Sequence, residues 1–261
     1  MLTQHTVADA ARAAGLPVPI RFLPVTGSTN DDVLDMAHAG APEWTVMVAA
    51  RQESGRGRLG RTWSSPPGTS LAVSVLLRPS MLAADAPLLG LMAAVCMAEA
   101  CADACGVTVR SKWPNDLTVG DRKVGGILPE AQMDGPAVTY AVIGAGVNVG
   151  QGRDDFASEF RETATSLAAE GGKADATGLL AEFLVRMRRA YTPADSSFGT
   201  QVVGAYRRLC ATLGQTVRAT TTDGHTIEGE AVDIGPAGHL MIRTASGALE
   251  SVGFGEVQLL R

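Results

Sequence analysis

Gln52-Glu53-Ser54-Gly55-Arg56-Gly57-Arg58-Leu59-Gly60-Arg61-Thr62-Trp63, with Ser64-Ser65-Pro66-Pro67 directly behind it, is the stretch on which the fold turns. As a string, Gly55-x-Gly57-x-x-Gly60 matches a dinucleotide-binding fingerprint. That fingerprint has to open a helix, because the pyrophosphate sits at the helix N-terminus. Pro66-Pro67 removes two backbone donors where the helix would run, so the Rossmann reading fails on context. What remains is a loop whose glycines let backbone N–H groups approach an anion, while Arg56, Arg58 and Arg61 offer positive forks to phosphate or carboxylate. A solvated basic loop is the plain alternative. Three arginines interleaved with three glycines nevertheless stand out in a chain of net charge -5.

The flanks of the loop read as strands. Residues 44–50 and 69–78 are rich in valine and leucine and are bounded by turn formers. Upstream, Ser28-Thr29-Asn30-Asp31-Asp32 precedes Val33, Leu34, Met36 and Ala37, which predicts a helix N-terminus and a helix closing near Gly40. A short helix over residues 7–14 is ended by Gly15-Leu16-Pro17-Val18-Pro19. Asp85-Ala86-Pro87 opens a long helix through Cys105, with Gly106 as its stop. Strands follow at 107–113, 117–119, 123–130 and 137–149, then a polar, glycine-rich stretch over 150–176 that predicts a mobile connection. Helices are predicted at 177–191 and 197–213. From Gly214 the apolar residues fall at period two in short segments parted by Asp223-Gly224, Gly235-Pro236 and Ser246-Gly247, which predicts a small all-β barrel over 214–261. An α/β (α+β) domain over 1–213 precedes it.

Composition narrows the function classes. The 261 residues are 46% hydrophobic and 19% charged, enough for a packed core and against wholesale disorder. Lys plus Arg is 22 against Asp plus Glu 27, the wrong balance for coating nucleic acid nonspecifically. The longest apolar run, residues 88–98, stops at Glu99, short of the roughly 18 to 20 residues of a spanning helix. With no secretory pattern in the first residues, a cytoplasmic protein without membrane attachment is expected. Cys96, Cys101, Cys105 and Cys210 contain no C-x-x-C, and the four histidines are scattered, so buried free thiols are expected rather than zinc ligands or disulfides.

Two further segments carry chemistry. Lys112-Trp113-Pro114-Asn115-Asp116, followed by Lys123-Val124-Gly125-Gly126-Ile127-Leu128, offers ammonium groups, an amide and a carboxylate beside a double glycine where backbone can approach a ligand. Read alone, it is equally a β-hairpin turn. Ile143-Gly144-Ala145-Gly146-Val147-Asn148 puts an amide at the end of a strand containing two glycines, either a close approach to a ligand or an ordinary strand end.

Together with Gly27-Ser28-Thr29-Asn30 and Ala164-Thr165-Ser166-Leu167, these segments resemble biotin protein ligases over residues 21–261. The resemblance implies a catalytic domain similar to that of class II aminoacyl-tRNA synthetases and a small C-terminal SH3-like β-barrel. It implies that biotin and ATP give biotinyl-5′-adenylate, and that biotin passes to one lysine of a biotin carboxyl carrier domain of a biotin-dependent carboxylase. Residue by residue it places Ser28, Thr29, Asn30, Gln52, Gly55, Arg56, Gly57, Arg58, Lys123 and Gly126 at biotin, with Lys123, Arg56 and Arg58 catalytic. Trp63, Lys112, Asn115, Asp116 and Asn148 fall on the nucleotide side, and Asp116 is the candidate Mg²⁺ contact.

Joining a carboxylate to an α-phosphate brings two anions together, so positive charge at their meeting point is the physical requirement. No serine, cysteine or histidine nucleophile is needed. Only 27 residues precede Ser28, too few for the winged-helix DNA-binding domain of larger members, so no DNA partner is expected, and a homodimer is compatible with the sequence. Gly125-Gly126 stands where Ala-Gly is common, and Pro129 is expected to interrupt its strand. A lipoate protein ligase is the neighbouring alternative. A nonenzymatic anion- or nucleic-acid-binding protein is the alternative from another class.

Overall fold

The computed structural model describes residues 2–16, 20–222, 224–253 and 255–260. Two sheets are present among the described residues. The first has seven strands: β1 (Ile20–Leu23), β2 (Val46–Ala49), β3 (Ser70–Leu77), β4 (Arg110–Lys112), β5 (Asp116–Val119), β6 (Arg122–Asp134) and β7 (Ala137–Asn148), in the order β1-β2-β3-β7-β6-β5-β4. Only β1 and β2 run parallel; the other neighbours are antiparallel. The second sheet holds β8 (Thr216–Thr221), β9 (Thr226–Ile234), β10 (Leu240–Thr244), β11 (Leu249–Val252) and β12 (Gly255–Leu259), all antiparallel, in the order β11-β10-β9-β8-β12. The mixed α/β fold with a small C-terminal β unit is the expected class. Strand β1 was not expected, and the helix stop at Pro17-Val18-Pro19 and the turn residue Asp223 lie outside the described residues.

Period two sorts the large sheet into two faces. On β3, Leu71, Val73, Val75 and Leu77 join the main core, while Leu76 belongs to a second, smaller cluster with Met47, Tyr140 and Val142. The main core is built by α1 (Gln4–Ala13), α3 (Pro87–Ala100), α4 (Ala176–Ala190) and α5 (Phe198–Leu209). The opposite face receives α2 (Thr29–His38), whose Val33 and Ala37 complete the smaller cluster. The main core continues into the second sheet through Val217, Ala219, Ile227, Ile234, Leu240 and Ile242, and the buried Trp113 indole donates to Gly238 O at 3.0 Å.

Helix α3 is buried almost all round, as its unbroken apolar composition requires. Its helical stretch, Ala83–Cys105, is 23 residues, longer than the apolar run suggested, and by length and composition alone it could cross a membrane. Yet 78% of its apolar window is buried inside the protein, which makes it a core helix. A π-helical turn at Cys101–Cys105 ends it, and Gly106 at φ 76° supplies the left-handed stop.

Two expectations need correction. Pro129 does not interrupt β6, which runs on to Asp134 with Pro129 opposite Ile143. Ile127 N–H donates to Asn115 O on the β5 side, so two residues later the nitrogen of Pro129 points the same way, where pairing with β5 has already ended at Gly126. Proline there removes no bond from the ladder. The polar stretch over 150–176 is also tied down: Leu167 N donates to Asn148 O, Ala168 N to Val149 O and Ser166 Oγ to Gln151 O, and Thr165, Ser166 and Leu167 are buried.

Candidate active site

The face of the sheet that carries α2 is floored with small residues. Strand register places Lys112, Asp116, Gly126, Gly146, Ala72 and Ala49 in one row across β4, β5, β6, β7, β3 and β2. The next row on the same face holds Leu128, Gly144, Ser74 and Met47. The glycines are there because other groups lie on them. A methyl at Gly146 would come 2.8 Å from Cε2 of Trp63, and one at Gly144 would overlap the Asn30 amide.

Ser28 caps α2 with an extended backbone, and Ser28, Thr29 and Asn30 are all buried. Thr29 N donates to Gln52 Oε1 at 2.8 Å, which fixes the helix start against the root of the arginine–glycine loop. The loop itself folds back as a tight hairpin: Trp63 N donates to Gly55 O at 2.8 Å, and Gly57 N to Arg61 O at 2.7 Å. Its three arginines diverge. Arg56 forms a two-pronged pair with Glu130, at 3.0 and 2.7 Å, and meets Asp31 at 2.6 Å. Arg58 donates to Asn115 Oδ1 at 3.2 Å and to Gly255 O at 3.0 Å, and Arg61 pairs with Glu256. Burial lowers the Arg58 pKa, opposed by the attraction of Asp116 and Glu256.

Lys123 lies over Gly126, where an added methyl would meet its Nζ at 3.7 Å, and its ammonium pairs with Asp116. Its backbone is clamped on both sides by the Ala164-Thr165 segment: Lys123 N donates to Thr163 O at 2.7 Å, and Thr165 N to Lys123 O at 2.8 Å. Two nucleotide-side expectations come out differently in detail. Asn148 is buried and bonded internally, donating to Thr165 O at 3.0 Å and accepting from Gln151 Nε2 at 2.9 Å. Asp116 is committed to Lys123, and no group of three or more His, Cys, Asp or Glu side chains able to hold a metal occurs among the described residues. A lone carboxylate already paired with an ammonium does not make a protein-held Mg²⁺ site. Ser74, Asp31, Glu130 and Gln151 were not anticipated. The one signal for Glu130 was a carboxylate directly behind the apolar run Ile127-Leu128-Pro129.

The match to the Biotin/lipoate A/B protein ligase family covers residues 22–148, and the Biotin protein ligase C terminal domain matches 212–260. The biotin–[acetyl-CoA-carboxylase] ligase of Paracoccus denitrificans is 33% identical over 84% of this chain and 96% of its own length. The chain belongs to the biotin protein ligase family. The bifunctional ligase/repressor BirA of Bacillus spizizenii is 35% identical over 85% of this chain and 69% of its own length. Among solved structures, the biotin protein ligase from Aquifex aeolicus in complex with biotin and ATP superposes with a TM-score of 0.75 at 28% identity, over 93% of this chain and 98% of that one. As a biotin ligase family member the chain is an ATP-dependent ligase. The first family model is shared with lipoate ligases, but the C-terminal match and these relatives are of the biotin kind, which removes the lipoate alternative and the nonenzymatic one.

Proposed function

We propose that this chain condenses biotin with ATP to biotinyl-5′-adenylate and pyrophosphate, then transfers biotin to one lysine of a biotin carboxyl carrier domain of a biotin-dependent carboxylase. The observation that carries this reading is the glycine-floored row with Lys123 standing over Gly126 beside Asp116 and Arg58 reaching Asn115 from above. Two cations then stand together over one row of the sheet, and positive charge at one place is what the meeting of two anions requires. The biotin carboxylate attacks the α-phosphorus, the bond to the β-phosphate oxygen breaks, and pyrophosphate leaves. The acceptor amine then attacks the biotinyl carbonyl, AMP leaves, and the amine proton goes to solvent.

In this reading Ser28, Thr29, Asn30, Gln52, Gly55, Arg56, Gly57, Arg58, Lys123 and Gly126 line the biotin side. Trp63, Lys112, Asn115, Asp116 and Asn148 line the nucleotide side, with Asn148 acting through its hold on Thr165 and Gln151. Lys123 and Arg58 neutralise the reacting oxygens. Arg56 acts through the loop that it pins to Glu130. Mg²⁺ travels with the ATP phosphates. Residues 1–213 form the catalytic domain and 214–261 the barrel, and the enzyme works in the cytoplasm.

The test is mass spectrometry of a carrier domain incubated with the chain, ATP, Mg²⁺ and biotin. A single biotinyl addition on one lysine is expected. Its absence, with no biotin-dependent exchange of pyrophosphate into ATP, removes the proposal.

A further inference from the structure

Six polar residues from four separate segments form one unbroken chain beneath the loop. Gln52 Oε1 accepts from Thr29 N at 2.8 Å; Thr29 Oγ1 lies 2.8 Å from Ser74 Oγ; Ser74 Oγ lies 2.6 Å from Asn30 Oδ1; Asn30 Nδ2 donates to Glu130 Oε2 at 2.7 Å; and Glu130 takes both prongs of Arg56. Ser74, Thr29 and Asn30 are buried, and Ser74 is fully so. The chain begins at the loop root, Gln52, and ends within the loop, at Arg56.

Counting hydrogens gives the chain a direction. Glu130, as a carboxylate, only accepts, so Asn30 must present its Nδ2 to it. Leu128 O, 3.2 Å from the same nitrogen, agrees. Asn30 Oδ1 then faces Ser74 and can only accept, so the single Ser74 hydrogen is spent on Asn30. The 2.8 Å contact between Thr29 Oγ1 and Ser74 Oγ therefore takes its hydrogen from Thr29. The longer 3.1 Å contact between Thr29 Oγ1 and Gln52 Oε1 does without one, since the single Thr29 hydroxyl hydrogen is spent on Ser74. Thr29 is left showing a lone pair, and Gln52 its amide N–H end. Acceptor beside donor is the complement of one N–H and the C=O of a cyclic urea, the ring of biotin.

We propose that Glu130 is a positioning residue for biotin: its carboxylate fixes the direction of the Asn30–Ser74–Thr29 relay and thereby the donor and acceptor edge offered to the ureido ring. This rests on the reading of this face as the biotin site. Glu130 need not touch the substrate. An amide in its place cannot serve three donors, because one oxygen is replaced by a group that itself donates.

The test is Glu130→Gln, Ser74→Ala and the double variant, assayed by biotin-dependent pyrophosphate exchange with titration calorimetry of biotin. Each single change is expected to raise the biotin KM and Kd about tenfold or more while leaving the ATP KM within about twofold. The double variant should be no worse than the more severe single one, since both cut one relay. If Ser74→Ala leaves biotin binding unchanged, or the two effects multiply, the relay is wrong and Glu130 acts only through Arg56. A rise of the biotin and ATP KM together overturns it as well. Should Glu130→Gln not fold, Ser74→Ala, which removes a single oxygen, decides for or against the relay on its own. If the unaltered chain shows no biotin-dependent exchange, it is the functional reading that fails, and the two failures are distinguishable.

Discussion

On one face of the seven-stranded sheet, Leu71, Val73, Val75 and Leu77 of β3 join the main core beside α4; on the other, Ser70, Ala72 and Ser74 of the same strand meet Asn148, Gly146 and Gly144 on β7. Backbone, neighbours and hydrogen-bond ladder are shared, and only the parity of the residue number differs. The first face is filled with branched side chains, and every one of its β3 residues is fully buried. The second withholds volume and spends what remains on hydroxyls and amides. Under the proposed function, β3 serves stability with its odd positions and with Leu76, and ligand with Ser70, Ala72 and Ser74, and the two can be damaged separately.

The largest effects come from crossing that division. Leu71→Ala removes a fully buried side chain from the filled face and should cost about 2 to 5 kcal/mol of unfolding free energy, read by urea denaturation. Adenylation by the folded fraction should stay within about twofold. Gly146→Ala should do the reverse. The new methyl meets the Trp63 indole at 2.8 Å, costs about 1 to 3 kcal/mol of stability and misplaces the loop that Trp63 closes, so exchange should fall about a hundredfold. If Leu71→Ala abolishes turnover while folded, or Gly146→Ala leaves it intact, the two faces are not functionally distinct.

Next in size is Lys123→Gln. Removing one partner of a desolvated charge pair costs about 2 to 5 kcal/mol, or roughly thirtyfold to several thousandfold in rate at about 1.4 kcal/mol per factor of ten. The Lys123 side chain is 39% exposed, so the lower end is expected. Stability should barely move. Lys173→Gln is the control, because that side chain is exposed in the polar connection and should affect neither rate nor folding. Near-normal exchange by folded Lys123→Gln would reduce Lys123 to a surface charge and pass its role to Lys112, which lies opposite Asp116 on β4.

Most of the filled face was legible in the sequence, since alternation and apolar runs are local. The other face was legible in its glycines, in the loop and in the Lys112–Asp116 and Lys123 segments. Glu130 was hidden because Pro129 beside it reads as a strand break, and only the ending of β5 makes proline harmless there. Ser74 was hidden because a hydroxyl in an apolar strand is ordinary until Thr29 and Asn30 arrive from a segment more than forty residues away. Residues 150–176 read as mobile because composition shows polarity and glycine. What holds them is largely backbone bonding to Lys123, Asn148 and Val149, which no side-chain pattern announces.

The smallest effect is expected at the cysteines, which sharpen the comparison from the filled side. Burial pushes the Cys96 thiol up from 9.0 to about 12 and raises Cys101, Cys105 and Cys210 as well. A thiol held that high is almost wholly protonated at pH 8, and it is the thiolate that reacts. The folded chain should therefore show almost no labelling by a maleimide at pH 8, and four labels once unfolded in urea. The sign of the pH effect follows. These thiols keep their protons in the folded state, while in the unfolded chain they lose them near pH 9. The unfolded state then binds fewer protons, and stability falls as pH rises. The contribution is complete below about pH 9 and lost progressively from there towards about pH 12, with buried Tyr206, whose pKa is also raised, acting in the same direction. Urea denaturation at pH 7.5, 9 and 10 reads this directly. Rapid labelling of a folded thiol, or a chain more stable at pH 10 than at 7.5, would show that the helix face behind the sheet is open to water after all.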